Sequence, residues 1–100
     1  MRASCYHPQL AMIVARRLVI GGRVQGVGFR WFTVEQARVD NVAGFVRNLP
    51  DGRVEAFVEG DAESVDRFER ALRRGPRGAR VDDVAVEPAT PTGYKEFTMR

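Results

Sequence analysis

Hydrophobic and polar positions alternate most strictly between residues 53 and 59. Val54, Ala56 and Val58 occupy one face of this segment, and two glutamates and a phenylalanine occupy the other. This two-residue period is typical of a strand with one buried face. An Asp-Gly pair precedes the segment and, because these residues tolerate positive φ, favours a tight turn from an earlier strand over residues 42–48. The pattern therefore predicts a β-hairpin.

Two other segments have the spacing of helices. Between Asp61, a residue type that caps helices, and Gly75, a residue type that ends them, hydrophobic residues recur every three or four positions. This pattern predicts a helix over residues 62–74, and a less regular version predicts another over residues 30–39. We interpret Trp31 as partly packed against the core rather than as a residue that stacks on a ligand. The side chains expected to face the core are Val65, Phe68 and Leu72 in the later helix, and Phe29, Phe32, Gln36 and Ala37, flanked by Val34, in the earlier one.

Three further segments complete the order of elements. Residues 16–24 and 80–87 are predicted strands, and residues 94–100 form a short closing strand. The resulting order, β-α-β-β-α-β plus a short C-terminal strand, predicts an α+β fold of the ferredoxin-like, split β-α-β type. In this fold an antiparallel sheet carries both helices on one face. The expected domain spans residues 16–100, and residues 1–15 form an N-terminal extension that we expect to be poorly ordered at its start.

Composition narrows the classes of function. The chain of 100 residues suits one domain, and its single cysteine excludes an intrachain disulfide. The basic residues behind the net charge of +3 are interleaved with acidic ones, so we expect no nucleic-acid partner. The apolar run at residues 10–15 is too short to span a membrane. We therefore expect no membrane association and, because no targeting segment is recognisable, a cytoplasmic location.

The stretch from the first strand to the first helix carries the candidate chemistry. Residues 22–30, Gly-Arg-Val-Gln-Gly-Val-Gly-Phe-Arg, pass through glycines into a helix N-terminus. The first N–H groups of a helix have no partner within it, and the helix dipole is positive there, so such a turn is suited to an anion. Arg30 adds a planar guanidinium that can hold two oxygens of one phosphoryl group. The stretch lacks the Lys-Ser/Thr ending of a P-loop, which argues against ATP or GTP.

Asn48, at the end of the second predicted strand, is the second candidate residue. In the split β-α-β topology the first two strands run parallel with the third between them. We therefore expect Asn48 at the same sheet edge as residues 25–30. The residue types alone leave two interpretations open. Arg30 and Asn48 either form an anion site, or they are a solvated arginine and an asparagine that only starts the Asp-Gly turn.

Several motifs in order resemble the acylphosphatase family. They are residues 22–30, the Gly-Phe-Val-Arg-Asn run at 44–48 and the Asp-Gly-Arg-Val-Glu run at 51–55. The resemblance covers about residues 16–100, nearly the whole chain. Members usually carry a tryptophan or similar aromatic where Phe45 stands, and often an aromatic where Gly28 stands. Neither departure removes a reactive group.

The resemblance implies a reaction and a set of roles. The reaction is hydrolysis of the carboxyl–phosphate bond of a small acyl phosphate to a carboxylate and inorganic phosphate. Arg30 would bind the phosphoryl group together with backbone N–H groups of the loop, and Asn48 would position the attacking water. No acidic pair suited to Mg²⁺ accompanies the loop, so we expect no metal and no cofactor, and for this family we expect a monomer. The implied substrate-binding residues are Gln25, Gly26, Val27, Gly28, Phe29 and Arg30.

Other functions compete with this one. A non-catalytic anion-binding module could share the fold, although the presence of both Arg30 and Asn48 argues against it. An RNA-binding module of this topology would stack bases on aromatic residues of the two central strands, and the first strand has none. An acylphosphatase-like domain of a carbamoyl-transfer protein would need a partner chain. The physiological substrate also stays open among a glycolytic intermediate, carbamoyl phosphate and a phosphorylated side chain.

Overall fold

The elements follow the predicted order. The computed structural model describes residues 12–100, which form five strands and two helices. The strands are β1 (Ile13–Arg23), β2 (Ala43–Asn48), β3 (Val54–Asp61), β4 (Arg80–Ala89) and β5 (Phe97–Met99), and the helices are α1 (Phe29–Asp40) and α2 (Ala62–Arg74). Neither helix has the length and apolar composition needed to cross a membrane.

All the strands belong to one sheet in the order β4-β1-β3-β2-β5. β3 lies between β1 and β2 and is antiparallel to both, which confirms the split β-α-β plan. The expectation of an antiparallel sheet was wrong at one edge, because β5 pairs with β2 in parallel. After β4 the chain crosses to the far edge of the sheet and reverses direction. A strand that runs opposite to β4 is necessarily parallel to β2, so the sheet is mixed.

β1 begins three residues earlier than predicted, at Ile13 rather than Arg16. The reason is tertiary, since Ile13 is the register partner of Asp61 at the end of β3. The local sequence carries no signal for that pairing. The expectation of poor order at the start of the chain concerns residues 1–11, which lie outside the described residues.

The core lies between the sheet and the two helices. The alternation in β3 is confirmed, because Val54, Ala56 and Val58 are all buried. The predicted stripe of α2 is confirmed as well, and Asp61 accepts a hydrogen bond from the Glu63 N–H as the helix cap. Val24, at the start of the loop, belongs to the same cluster, so the loop is anchored in the core.

The buried stripe of α1 differs from the prediction. It consists of Phe29, Thr33, Ala37 and Asp40, whereas Phe32 and Gln36 are only half-buried. Thr33 can be buried because its hydroxyl donates to the Phe29 carbonyl oxygen at 2.8 Å. Asp40 accepts from the Gln36 amide at 2.9 Å and lies 3.5 Å from the Arg67 guanidinium. Polar residues whose hydrogen bonds are satisfied in this way can be buried on the inner face of the helix. The pattern of hydrophobic residues alone does not predict their burial.

The sheet face opposite the helices is not fully open. Glu55 and Glu59 in β3, predicted on the exposed face, are only 4% and 6% exposed. Arg17 and Arg47 hold the Glu55 carboxylate. Glu59 accepts from the backbone N–H groups of Thr92 and Gly93 and from the Thr92 hydroxyl, at 2.9–3.1 Å. The connection from β4 to β5 therefore crosses this face and is held to it by a carboxylate.

Candidate active site

The glycine loop, residues 24–28, and the end of β2 meet at one edge of the sheet. β1 and β2 run in the same direction, so their C-terminal ends lie on the same side. Between them is a pocket of about 180 Å³. The pocket contains both Arg30 and Asn48, as the topology predicts. Its lining residues are Val24, Gly26, Gly28, Phe29, Arg30, Trp31, Asn48 and Met99.

The backbone of the loop leaves the N-terminus of α1 open. Gly26 and Gly28 have φ values of 76° and 77°, which glycine adopts without strain. A Cβ on either residue would meet no other atom within 4 Å, so the backbone conformation, not lack of space, favours glycine here. Gly28 is the N-cap of α1, no side chain caps the first N–H groups, and the first turn contains no acidic residue. The positive end of the helix is therefore available to an anion.

Arg30 supplies a cation beside this helix end. Its guanidinium forms no ion pair with an aspartate or glutamate side chain of residues 12–100. Instead, Nη1 donates to the backbone oxygen of Arg100 at 2.8 Å. A guanidinium has five N–H donors, so this one contact holds the side chain in place while other donors stay available to a ligand. No aspartate or glutamate of the described residues neutralises its positive charge.

Asn48 does not take part in the turn that follows it. The turn is closed by the Leu49 N–H to the Arg53 carbonyl oxygen at 2.8 Å and by the Gly52 N–H to the Leu49 carbonyl oxygen at 3.1 Å. Asp51 adds a bond from the Arg53 N–H at 3.1 Å. The exposed side-chain amide of Asn48 has no hydrogen-bond partner within the described part of the chain. The interpretation that it only starts the turn therefore finds no support.

The side chain of Gln25 is directed away from substrate binding. Its amide nitrogen donates to the carbonyl oxygens of Leu49 at 2.8 Å and Arg53 at 3.0 Å. These two bonds use both N–H donors of the side chain. Of the N–H donors of Gln25, only the backbone one therefore stays available to an anion. Val27 packs partly against the core, so any contact from it is likewise a backbone one.

Comparison with known proteins decides the family. The sequence profile of the acylphosphatase family matches residues 16–99. The chain belongs to the acylphosphatase family. It is 53% identical to the acylphosphatase of Nitrosococcus oceani over 89 residues, covering 89% of this chain and 100% of that one. It is 47% identical to the acylphosphatase of Nostoc sp. over 93 residues, covering 93% and 91%.

A solved structure agrees with this assignment. The crystal structure of acylphosphatase from Bacillus subtilis matches with a TM-score of 0.85 and 36% identity, over 89% of this chain and 99% of that one. The chain is thus an acylphosphatase, an enzyme that hydrolyses small acyl phosphates. The predicted family, fold and enzyme class are confirmed.

β5 contributes to the candidate site in a way that the sequence did not indicate. Met99 lines the pocket, and the Arg100 N–H donates to the Val46 carbonyl oxygen at 2.8 Å. That bond, together with the parallel pairing to β2, brings the backbone oxygen of Arg100 to Arg30. The sequence indicated a closing strand but contained no signal for its partner.

Phe45 shows how the enzyme accommodates one departure from the family pattern. Its ring stacks on that of Phe57, with centroids 5.8 Å apart and planes 9° from parallel. The Arg100 guanidinium lies 3.9 Å from the centroid of Phe45, a cation–π contact. Phenylalanine thus still provides an aromatic surface for the residue that contacts Arg30. At Gly28, the second departure, a side chain would have room but would adopt a strained positive φ.

Trp31 is placed differently from the prediction. It is 61% exposed and lines the pocket beside Arg30. The interpretation of partial core packing was therefore wrong. Arg30 and Trp31 lie on the outer side of α1 because Phe29 and Thr33 take the two inward positions of the first turn. An exposed tryptophan next to the predicted catalytic arginine is a spectroscopic reporter for the site, since it is the only tryptophan in the sequence.

Proposed function

We propose that the pocket hydrolyses acyl phosphates with Arg30 and the loop N–H groups holding the phosphoryl group and Asn48 orienting the attacking water. One observation carries the proposal. Three groups line one pocket: the uncapped N-terminus of α1, the Arg30 guanidinium without an aspartate or glutamate partner, and the unengaged Asn48 amide. The first two are complementary to a phosphoryl anion, and the third is the neutral polar group that remains beside them.

The charge on the phosphoryl group is balanced by fixed donors. Phosphoryl transfer depends mostly on positioning the reactants and on stabilising charge on the equatorial oxygens. The backbone N–H groups of residues 25–29 and the guanidinium of Arg30 provide these functions. Because Arg30 is held by the backbone oxygen of Arg100, it requires little rearrangement when the substrate binds.

The leaving group requires no additional catalytic residue. The water oxygen bonds to phosphorus while the bond from phosphorus to the acyl oxygen breaks, and the carboxylate departs with the electron pair. The conjugate acid of that carboxylate has a pKa of about 4, so no general acid is needed at neutral pH. Asn48 is not a base, but its Oδ1 can accept one hydrogen bond from the water and set the line of attack. The proton released passes to a phosphate oxygen or to solvent.

A phosphate-release assay tests the proposal. The enzyme is given acetyl phosphate, benzoyl phosphate and carbamoyl phosphate, with an alkyl phosphomonoester as the poor-leaving-group control. Arg30→Ala is compared with Arg38→Ala, which removes the same charge from an exposed position of the same helix. We expect a loss of kcat/KM of about 10³-fold or more for Arg30→Ala and no more than a small change for Arg38→Ala. Equal activities of the two variants would refute the role of Arg30.

The same assay tests the expected independence from metals. The proposal assigns the neutralisation of substrate charge to Arg30 and the backbone, so turnover should continue in excess EDTA. Loss of activity on chelation and its return with Mg²⁺ would contradict this mechanism. A non-catalytic anion-binding module, the competing class, would bind inorganic phosphate but release none from any acyl phosphate. We also propose that the enzyme acts as a monomer, which sedimentation analysis can check.

A further inference from the structure

The amide of Gln25 connects two parts of the site that no strand pairing joins. Its nitrogen contacts two carbonyl oxygens, those of Leu49 and Arg53. Carbonyl oxygens only accept hydrogen bonds, so the NH₂ end of the side chain must face them and the orientation of the amide follows from the chemistry. Both bonds cross from the glycine loop to the turn between β2 and β3.

The position of this bridge relates it to Asn48. Leu49 directly follows Asn48, and Leu49 and Arg53 are the two residues whose backbones close the turn. On the other side, Gln25 stands between buried Val24 and Gly26, which lines the pocket. β1 and β2 do not pair with each other, because β3 lies between them. The Gln25 amide is therefore a direct polar link between the loop and the segment that carries Asn48.

We propose that Gln25 is a positioning residue that sets the distance and angle between the phosphoryl-binding loop and Asn48. The inference rests on the proposed roles of Arg30 and Asn48 and adds to them a side chain that does not touch the substrate. In-line attack needs the water and the phosphorus in a near-attack arrangement, and a displacement of about 1 Å can cost about 10²-fold in rate. A link between the two halves of the site controls that displacement.

Two substitutions remove the link in different ways. Gln25→Glu keeps the size of the side chain, but an ionised carboxylate has no donor and is repelled by both carbonyl oxygens. Gln25→Ala removes the side chain. Gln36→Ala is the matched control, because it also deletes a glutamine hydrogen bond, to Asp40, at a distance from the pocket. Unfolding midpoints show whether each variant is folded at the assay temperature. If Gln25→Ala is unfolded at that temperature, Gln25→Glu is the variant used for the test.

The test measures kcat and KM for acetyl phosphate and the inhibition constant for inorganic phosphate. We expect both Gln25 variants to lose about 10- to 100-fold in kcat. For Gln25→Ala, which adds no charge, the phosphate inhibition constant should stay within about threefold of the wild type, because Arg30 and the loop N–H groups are unchanged. For Gln25→Glu this comparison is made at about 1 M salt, where repulsion of phosphate by the added carboxylate is screened. Gln36→Ala should leave both quantities unchanged. A loss of phosphate affinity as large as the loss in kcat would overturn the inference and make Gln25 part of the phosphate site.

A double-mutant cycle decides whether Gln25 acts through Asn48. If it does, Gln25→Ala should change kcat little in an Asn48→Ala background, because there is then no amide left to position. Independent, multiplying losses in the double variant would refute the inference while leaving the proposed function intact. If Asn48→Ala alone has no effect on kcat, the proposed role of Asn48 fails, and the positioning role of Gln25 fails with it.

Discussion

Replacing Asn48 with aspartate adds a negative charge to a pocket that receives a phosphoryl group. The pocket has a volume of about 180 Å³, and a sphere of that volume is roughly 7 Å across. We take this length as the distance between the introduced carboxylate and the phosphoryl group. Two like unit charges at that distance repel by roughly 2.4 kcal/mol at an effective dielectric constant of 20 and by roughly 0.6 kcal/mol in water. Because Asn48 is exposed, we expect a value between these limits. Phosphate binding should therefore weaken by roughly 3- to 50-fold.

Asn48→Ala separates this repulsion from the loss of the water contact. The alanine variant adds no charge, so inorganic phosphate should inhibit it with nearly the wild-type constant. Its kcat and kcat/KM should fall together, by about 10²-fold, because an interaction made only in the transition state is lost. Asn48→Asp should show a similar loss in kcat and, in addition, the weaker binding of phosphate.

The assay is steady-state phosphate release, with inorganic phosphate as inhibitor, for both variants at low salt and at about 1 M salt. The Debye length falls to about 3 Å at the higher concentration, so the binding defect of Asn48→Asp should shrink while the kcat defect of Asn48→Ala should not. A fully active Asn48→Asp enzyme would show that the residue works by proton abstraction or only shapes the turn. An unchanged kcat in Asn48→Ala would remove the residue from the mechanism.

Three further outcomes are expected. Arg30→Lys should lose most of its activity, because an ammonium group lacks the planar fork that holds two oxygens, and activity near that of the wild type would contradict bidentate binding. Inorganic phosphate should change the fluorescence of Trp31 in the wild type but not in Arg30→Ala, and an equal change in both would place phosphate elsewhere. Burial opposes ionisation of Glu59, but hydrogen bonds from Gly93 and Thr92 outweigh it and lower the pKa of this carboxyl. Because the pKa of Glu59 is lower in the folded than in the unfolded state, its ionised carboxylate stabilises the fold at pH values above the unfolded pKa of about 4.5. This contribution to stability is lost as the pH falls below that value and through the folded pKa. The free energy of unfolding should consequently depend less on acid pH in Glu59→Gln, and an unchanged pH dependence would refute the role of this carboxylate.

Features that depend on local period and local chemistry could be predicted from the amino-acid sequence alone. The alternation around Val54–Val58 follows from the pleat of a strand, and the stripe containing Phe68 and Leu72 follows from the pitch of a helix. The glycines before Arg30 are local too, because positive φ is a property of the residue itself. The proximity of Arg30 and Asn48 was predictable for a different reason. Once the order of elements indicates a split β-α-β sheet, the direction of each strand, and hence the edge where it ends, follows.

Contacts between residues far apart in the chain depend instead on how the elements pack together. Thr33 and Asp40 are buried because their polar groups find partners, and Glu55 and Glu59 are buried because arginines and the segment after β4 cover them. None of these partners can be recognised from residue type. The same holds for the site.

The contacts of Gln25 and Arg30 show why the sequence was insufficient there. Gln25 contacts a backbone oxygen 24 residues away, and Arg30 contacts one 70 residues away. Every residue has a backbone carbonyl, so the sequence around an acceptor does not mark it as a partner. The residues of the proposed site could therefore be selected from their residue types, whereas the contacts that hold them in place depend on the packing of β2, β3 and β5.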